Sequence, residues 1–189
     1  MGREMYRQFL LKLLARYQRR YPEDAHHGQA IEQFVRAHPD CFLRSCLRGH
    51  VTASAWILSV DQQRCLLVYH RKLQRWLQPG GHADGEPEVH RTALREAEEE
   101  TGLWRLALHV ERDGSVLPFD LDVHAIPARP TEPEHKHYDV RFLLRATHDD
   151  APRASTDAVE ARWVPLPQVE ELTRETSILR MVRRTAAFV

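Results

Sequence analysis

Three carboxylates in one short segment have the types and spacing to bind a metal ion together. Glu96, Glu99 and Glu100 stand at i, i+3 and i+4, so a helix would project all three from one side. Like charges at this spacing destabilise an isolated helix by roughly 0.2–0.5 kcal/mol per pair, so a compensating cation is expected. Carboxylate oxygens suit a hard divalent ion, whereas the usual alternative for a glutamate-rich run is a solvated helix face.

The residues around the carboxylates favour a metal site over a solvated helix face. Two adjacent glycines, Gly80 and Gly81, precede the predicted helix, Arg95 abuts the first carboxylate, and Gly102 is a helix stop. The opposite face of the helix is apolar and suited to packing on a sheet. Its residues are Val89, Ala93, Leu94 and Ala97.

The segment 78–103 resembles the Nudix box. In that motif a glycine is followed after five residues by a glutamate, and after seven more by Arg-Glu-apolar-any-Glu-Glu-any-Gly-apolar. Gly81 and the run from Arg95 to Leu103 match this pattern in register, and eight of its nine defined positions agree. The first glutamate position departs, because Pro87 stands there. We expect a turn one residue shorter, in which Glu86 takes the role of that glutamate.

The resemblance implies a role for each matching residue. Glu99 and Glu100 resemble ligands of Mg²⁺, with the carbonyl of Gly80 as a third protein oxygen and Mn²⁺ as an alternative ion. Glu96 resembles the catalytic base or a further metal ligand, and Arg95 resembles the partner that orients it. The implied reaction is Mg²⁺-dependent hydrolysis of a diphosphate bond in a nucleoside diphosphate linked to another moiety. The implied partner is thus a small nucleotide-type substrate.

The family resemblance also implies a fold, an α/β/α sandwich of the α/β class with a mixed β-sheet. We assign this domain to residues 48–189, and a helical N-terminal extension to residues 1–47. Apolar periodicity predicts helices from Tyr6 to Tyr17 and from about Ala25 to His38. The first helix docks on the protein's own body or on a second copy, so a homodimer stays open, with a transit or membrane-surface helix as the less favoured interpretations. Alternating patterns predict a hairpin over 51–60 and 65–70, further strands after the box, and a C-terminal helix.

Composition argues against several classes of partner. Lys plus Arg and Asp plus Glu balance at 27 each, so no global charge favours binding to nucleic acid or to a membrane surface. No apolar run approaches the roughly 20 residues of a membrane span. The cysteines, Cys41, Cys46 and Cys65, lack metal-ligand spacing and suggest reduced thiols in a cytoplasmic protein.

A second stretch with candidate chemistry follows the box. In extended strands Asp120, Asp122 and His124 share one face, and His137 and Asp139 share another. Two histidines with nearby aspartates suit a transition-metal site, a set of substrate contacts, or hydrogen-bonded strand residues. The blocks WLQPGGHADG and HYDVRFLL resemble a bacterial subgroup of the same family, which favours substrate contact. The residues predicted to contact substrate are His124, His137, Asp139 and Arg71.

Two rival functions differ from hydrolysis. A non-catalytic nucleotide-binding or regulatory module stays open because of Pro87 and of Ala158, where the subgroup often has Glu; Asp157 and Glu160 are candidates for a further acid. The intact arginine and carboxylate set of the box argues against such a module. An isoprenyl-diphosphate isomerase shares the fold, but the pattern of such enzymes includes a cysteine beside the active-site strand. No cysteine follows Cys65 here, so this function is disfavoured.

Overall fold

The computed structural model describes residues 2–130, 132–156 and 158–188. The α-helices within these ranges are α1 (Gly2–Arg20), α2 (Ala25–Ala37), α3 (Val89–Thr101), α4 (Val169–Leu172) and α5 (Thr176–Phe188). The strands are β1 (Gly49–Leu58), β2 (Arg64–His70), β3 (Arg75–Leu77), β4 (Gly80–His82), β5 (Leu106–Leu108), β6 (Asp120–Ile126), β7 (His135–Ala146) and β8 (Ala158–Pro165). Short 3-10 turns, Pro22–Asp24 and Leu166–Gln168, lead into α2 and α4. Across the described residues, no helix combines the length and the apolar character that crossing a bilayer requires.

The strands belong to one sheet in which β3, β2, β1, β7 and β5 follow one another side by side. In addition β4 pairs with β1, β6 with β7, and β8 with β2. The pairs β1–β2, β2–β3, β2–β8, β5–β7 and β6–β7 are antiparallel. The predicted mixed α/β fold is confirmed, as is the hairpin formed by β1 and β2.

The chain divides into two compact units. The first unit takes in the chain up to Ala53, together with Gly81–Thr92 and Val110–Arg141. The second unit takes in Ser54–Gly80, Ala93–His109 and the chain from Phe142 onward. Each unit has its own fully buried large apolar side chains. Those of the first include Leu10, Leu14, Tyr17, Ile31 and Leu121, and those of the second include Trp56, Ile57, Leu66, Leu67 and Phe142.

The N-terminal helices pack on each other within the first unit. The predicted apolar stripe of α1 is buried from Leu10 to Tyr17, and α2, which packs on α1, buries Ile31, Phe34 and Val35. The bond from Gln18 Nε2 to Glu32 Oε2 (3.1 Å) ties the two helices together. Helix α1 therefore docks on its own chain, one of the two arrangements expected for it.

All three cysteines are free and buried. Burial raises the pKa of Cys41, in the first unit, to about 12. It raises the pKa of Cys65, in the second unit, to about 12 as well. The thiols are therefore protonated at neutral pH and lack the thiolate that binds metals or attacks electrophiles.

A buried ion network joins β6 and β7 in the first unit. Arg141 is 2% exposed, and its Nε lies 2.8 Å from Asp139 Oδ2. Its Nη1 and Nη2 lie 3.3 Å from carboxylate oxygens of Asp120 and Asp122. Thr52 Oγ1 donates a further hydrogen bond of 3.0 Å to Asp139. One guanidinium thus compensates three acidic groups that the protein largely removes from water.

Replacing Arg141 by Met is expected to destabilise the protein by about 3–5 kcal/mol, because it leaves the negative charges of the three aspartates without the guanidinium that they share. Urea denaturation followed by circular dichroism measures this change in the free energy of unfolding. The matched control is Arg174→Met, which removes an exposed i,i+4 pair with Glu170 (3.1 Å) and should leave the free energy of unfolding almost unchanged. Equal effects of the two substitutions would contradict a stabilising role for the buried network.

Candidate functional site

Helix α3 holds the predicted carboxylates on a well-defined backbone. It ends as predicted at Thr101, because Gly102 adopts a left-handed φ of +66° that most other residues disfavour. The Gly102 N–H donates to the carbonyl of Glu98 (2.9 Å), and the Arg153 N–H donates to that of Thr101 (2.7 Å). The last turn of the helix is therefore fixed beside the carboxylates.

Arg95 bridges two of the three carboxylates. Its Nη1 lies 2.8 Å from Glu96 Oε1 and 3.1 Å from Glu99 Oε2. The Glu96 side chain is 15% exposed, whereas that of Glu99 is 60% exposed. Arg95 thus contacts both carboxylates, Glu99 is the more exposed of the two, and the orienting role of Arg95 stays a prediction. The three carboxylates and Arg95 all belong to the second unit.

Gly80 lies beside the third carboxylate. Its N–H donates to Glu100 Oε2 (3.2 Å), which brings together two of the predicted metal-site residues. The glycine-rich segment differs from the predicted turn, because Gly80 begins the short strand β4, which pairs with β1. The reason is a close approach of the backbones: a Cβ on Gly80 would lie 2.7 Å from the Cα and 2.5 Å from the Oγ of Ser54. A residue without a side chain is what lets β4 lie this close to β1.

The start of α3 departs from the box pattern. The helix begins at Val89, so Pro87 precedes it. Glu86 Oε1 accepts a hydrogen bond from the Glu88 N–H (2.8 Å), and Glu88 pairs with Arg91 (2.7 Å). Glu86 thus stabilises the approach to the helix, and its substitution for the missing box glutamate stays a prediction.

Five histidine rings cluster in the first unit. The His50 ring centroid lies 4.8 Å from that of His82 and 4.9 Å from those of His135 and His137. His124, which faces His137 across the β6–β7 ladder, lies 5.5 Å from it. The Nε2 atoms of His135 and His137 are 3.3 Å apart. Two of these residues, His124 and His137, are predicted from the sequence, and the structure adds His50, His82 and His135.

Burial dominates the electrostatics of this cluster. It lowers the pKa of His82 to about 4, with Arg44 adding to the effect, and that of His137 to about 2, with His82 adding to it. Burial likewise lowers the pKa of His50, whose ring nitrogens both lack a hydrogen-bond partner. The backbone of Cys46 opposes this lowering of the His50 pKa. The imidazoles of His50, His82 and His137 are therefore neutral at physiological pH.

The other residues predicted to contact substrate have protein partners. His124 Nδ1 lies 3.0 Å from Asp122 Oδ2, while Asp139 is 2% exposed and bound to Arg141 and Thr52. Arg71, in the second unit, donates to the backbone carbonyls of residues 156 and 158 (both 3.1 Å). Of the two candidate extra acids, Glu160 pairs with Arg162 (3.6 Å), and Asp157 lies outside the described residues.

Sequence reasoning missed His50, His82 and His135 as members of the cluster. His50 is the second residue of β1, and His82 is the last residue of β4. Their contacts with β7 join residues far apart in the chain, so no local sequence pattern predicts them. The one local signal is His135-Lys136-His137, whose histidines share a strand face. The high count of 12 histidines was a further indication.

Comparison with known proteins adds a family match. A family model described as the NUDIX domain matches residues 48–184. CMP-5'-(N-acetyl-N-hydroxy-3-aminopropyl)phosphonate hydrolase of Streptomyces rubellomurinus is 30% identical over 126 residues, which cover 65% of this chain and 55% of that protein. A probable DHNTP pyrophosphohydrolase of Lactococcus lactis is 28% identical over 111 residues, which cover 58% of this chain and 63% of that protein. The chain thus spans less than two thirds of the length of either relative.

Solved structures share the fold at low sequence identity. A C. elegans Ap4A hydrolase in a binary complex has a TM-score of 0.57 at 18% identity, covering 73% of this chain and 96% of that one. A NUDIX-family hydrolase from Clostridium perfringens has a TM-score of 0.59 at 20% identity, covering 74% of this chain and 98% of that one. These two likenesses establish the architecture.

The close approach at Gly80 predicts a strong effect of one added methyl group. Gly80→Ala is expected to cost about 1–3 kcal/mol, because the new Cβ meets the backbone of Ser54 and pushes β4 from β1. Gly28→Ala is the comparison variant, since its Cβ meets a side chain, Gln18 Cγ, rather than backbone. Moving Gln18 gives up its hydrogen bond to Glu32, and the preference of the helix for alanine, roughly 0.5–1 kcal/mol, offsets this loss. Urea denaturation of both variants tests the difference, and a Gly80→Ala protein as stable as Gly28→Ala would refute it.

Proposed function

The chain belongs to the NUDIX domain family, and from this membership we propose that it is a divalent-metal-dependent hydrolase. Its proposed reaction is cleavage of a phosphoanhydride bond in a nucleoside diphosphate linked to another moiety. NUDIX hydrolases use divalent metal ions. The choice of Mg²⁺, with Mn²⁺ as an alternative, rests on the oxygen ligands of α3.

The observation that carries the proposal is the arrangement of carboxylates on α3. Arg95 holds Glu96 and Glu99, and the backbone of Gly80 contacts Glu100. A set of hard oxygen donors within one helix turn fits a small divalent cation, because it supplies the charge and the ligand type that such ions prefer. A module that only binds nucleotides has no need of clustered carboxylates whose mutual repulsion destabilises the helix.

Each residue of the set has a proposed part in hydrolysis. Glu99, Glu100 and the Gly80 carbonyl would hold the ion, which when bound neutralises phosphate charge and activates water. Glu96 accepts a proton from the attacking water as the water oxygen bonds to phosphorus. The bridging P–O bond breaks and releases the second phosphate. Arg95 keeps the Glu96 carboxylate in position for this proton transfer.

A small nucleotide-type substrate is the proposed partner. The relatives named as hydrolases of a CMP-phosphonate and of DHNTP support this class. Contacts of His124, His137, Asp139 and Arg71 with substrate stay predictions. For Asp139 such a role would be indirect, since its carboxylate already binds Arg141 and Thr52.

The domain assignment and cellular location are also proposals. The NUDIX model over residues 48–184 supports a catalytic domain over 48–189 with a helical extension over 1–47. The free, buried thiols support a cytoplasmic location, where cysteines stay reduced. A homodimer through the N-terminal helices remains open.

The proposed hydrolysis is tested by phosphate release from a panel of nucleoside diphosphate derivatives and dinucleoside polyphosphates, with phosphatase coupling and with or without Mg²⁺. Glu99→Gln and Glu100→Gln are each expected to reduce turnover by more than about 100-fold, since losing even an outer-shell group typically costs 10–100-fold. Removing the metal with a chelator should abolish turnover of the wild type.

Glu98→Gln is the matched control for these variants. It removes one negative charge from the same helix, at a position that projects away from the three site carboxylates. We expect its turnover to stay within about twofold of wild type. Full activity in Glu99→Gln would refute the proposed roles, and tight metal-independent nucleotide binding without turnover would favour the regulatory module.

A further inference from the structure

His50 presents a buried polar group without a partner. The residue is 2% exposed, and neither of its ring nitrogens makes a hydrogen bond. Buried polar groups are normally hydrogen-bonded, so a ring in this state has nitrogens available to a ligand. The rings of His135 and His137 lie 4.9 Å from it, and that of His82 lies 4.8 Å from it.

We propose that His50, His135 and His137 bind one divalent transition-metal ion, through residues other than the carboxylates of α3. One ring nitrogen from each of these residues lies within 4.8 Å of the others. All three belong to the first unit, and the carboxylates belong to the second. None of its ligands belongs to the carboxylate set proposed for hydrolysis, although His137 is also predicted to contact substrate.

The distances agree with tetrahedral coordination by imidazoles. Zn–N bonds of about 2.0–2.1 Å at tetrahedral angles place two ligand nitrogens about 3.3–3.4 Å apart. The Nε2 atoms of His135 and His137 already lie 3.3 Å apart. To complete the set, His50 needs to approach by up to roughly 1.5 Å through a change in its side-chain torsions.

The backbone brings His50 to the other two ligands. The preceding residue, Gly49, has a φ of +147°, and a Cβ there would lie 2.4 Å from the Lys136 carbonyl oxygen. Lys136 stands between His135 and His137 on β7. The start of β1 therefore lies against β7 at the histidine pair, which a side chain at position 49 would prevent.

His135 has the outer-shell partner that a metal-binding histidine needs. Its Nδ1 lies 2.9 Å from the Pro133 carbonyl, which can only accept a hydrogen bond. Nδ1 is thus the donor, and Nε2, which faces His137, carries the lone pair. Glu132 Oε1 lies 3.6 Å from this Nε2, and its side chain is 38% exposed, so it offers a fourth ligand and a route for ion entry.

Imidazole ligands select the class of metal. Neutral histidine nitrogens suit Zn²⁺, Co²⁺, Ni²⁺ and Cu²⁺, whereas Mg²⁺ requires oxygen ligands and sheds its water reluctantly. Zn²⁺ is the ion we expect, since its common sites combine histidines with a carboxylate or water. The protein would then carry a nitrogen site and an oxygen site that differ in the ions they bind.

The proposal is tested on the full chain after the bound metals are removed with a chelator. Equilibration with Zn²⁺ in the presence of excess Mg²⁺, followed by gel filtration and atomic absorption, should give one zinc per chain. Co²⁺ should produce the strong visible bands of a four-coordinate ion. His137→Gln and His50→Gln should each weaken Zn²⁺ binding by more than about 100-fold.

Two further variants make the test specific. His148→Gln alters an exposed histidine outside the cluster, and Glu99→Gln alters the proposed catalytic set; both should keep one zinc per chain. Circular dichroism of His137→Gln checks that its fold is retained, while the Co²⁺ spectrum of the wild type gives a result that needs no variant. Zinc retained in both cluster variants, or only weak six-coordinate Co²⁺ bands, would overturn the proposal. Loss of hydrolysis in Glu99→Gln with zinc retained would show that the two sites are independent.

Discussion

The buried charge of Arg141 constrains the part of the sheet formed by β6 and β7. A guanidinium that is 2% exposed requires anions around it, and Asp120, Asp122 and Asp139 supply them. These charges fix the register, in which Asp120 pairs with Arg141 and Asp122 with Asp139. A slip of one residue would send every one of these side chains to the opposite face. The same register places His124 opposite His137, so the location of the histidines follows from where the charges must go.

Helix α3 solves a comparable problem with different means. Its three site carboxylates repel one another, and the protein compensates them with Arg95 and with the backbone N–H of Gly80. Neither partner neutralises the full negative charge of the set. The residual charge is what a divalent cation would compensate, and the fixed end of the helix at Gly102 keeps the ligands in place meanwhile.

Local patterns carried most of the predictions that the structure confirms. The stripes of α1 and α2, the β1–β2 hairpin and the end of α3 follow from periodicity and from Gly102, because they depend on neighbours in the chain. The start of α3 after Pro87 and the strand β4 did not follow from sequence. The second depends on how closely Gly80 approaches Ser54, a long-range contact. For the same reason the sequence predicted only His124 and His137 of the five clustered histidines, since His50 and His82 join the cluster through strand pairing.

The alkylation rates of the buried thiols report local opening of the native protein. Cys41 and Cys65 are 0% exposed, and burial raises the pKa of each to about 12. Alkylating reagents react with the thiolate, so the native protein is protected and modification requires a transient opening that exposes the side chain. Cys41 lies in the first unit and Cys65 in the second. Their separate alkylation rates therefore measure the opening free energies of the two units without an engineered cysteine.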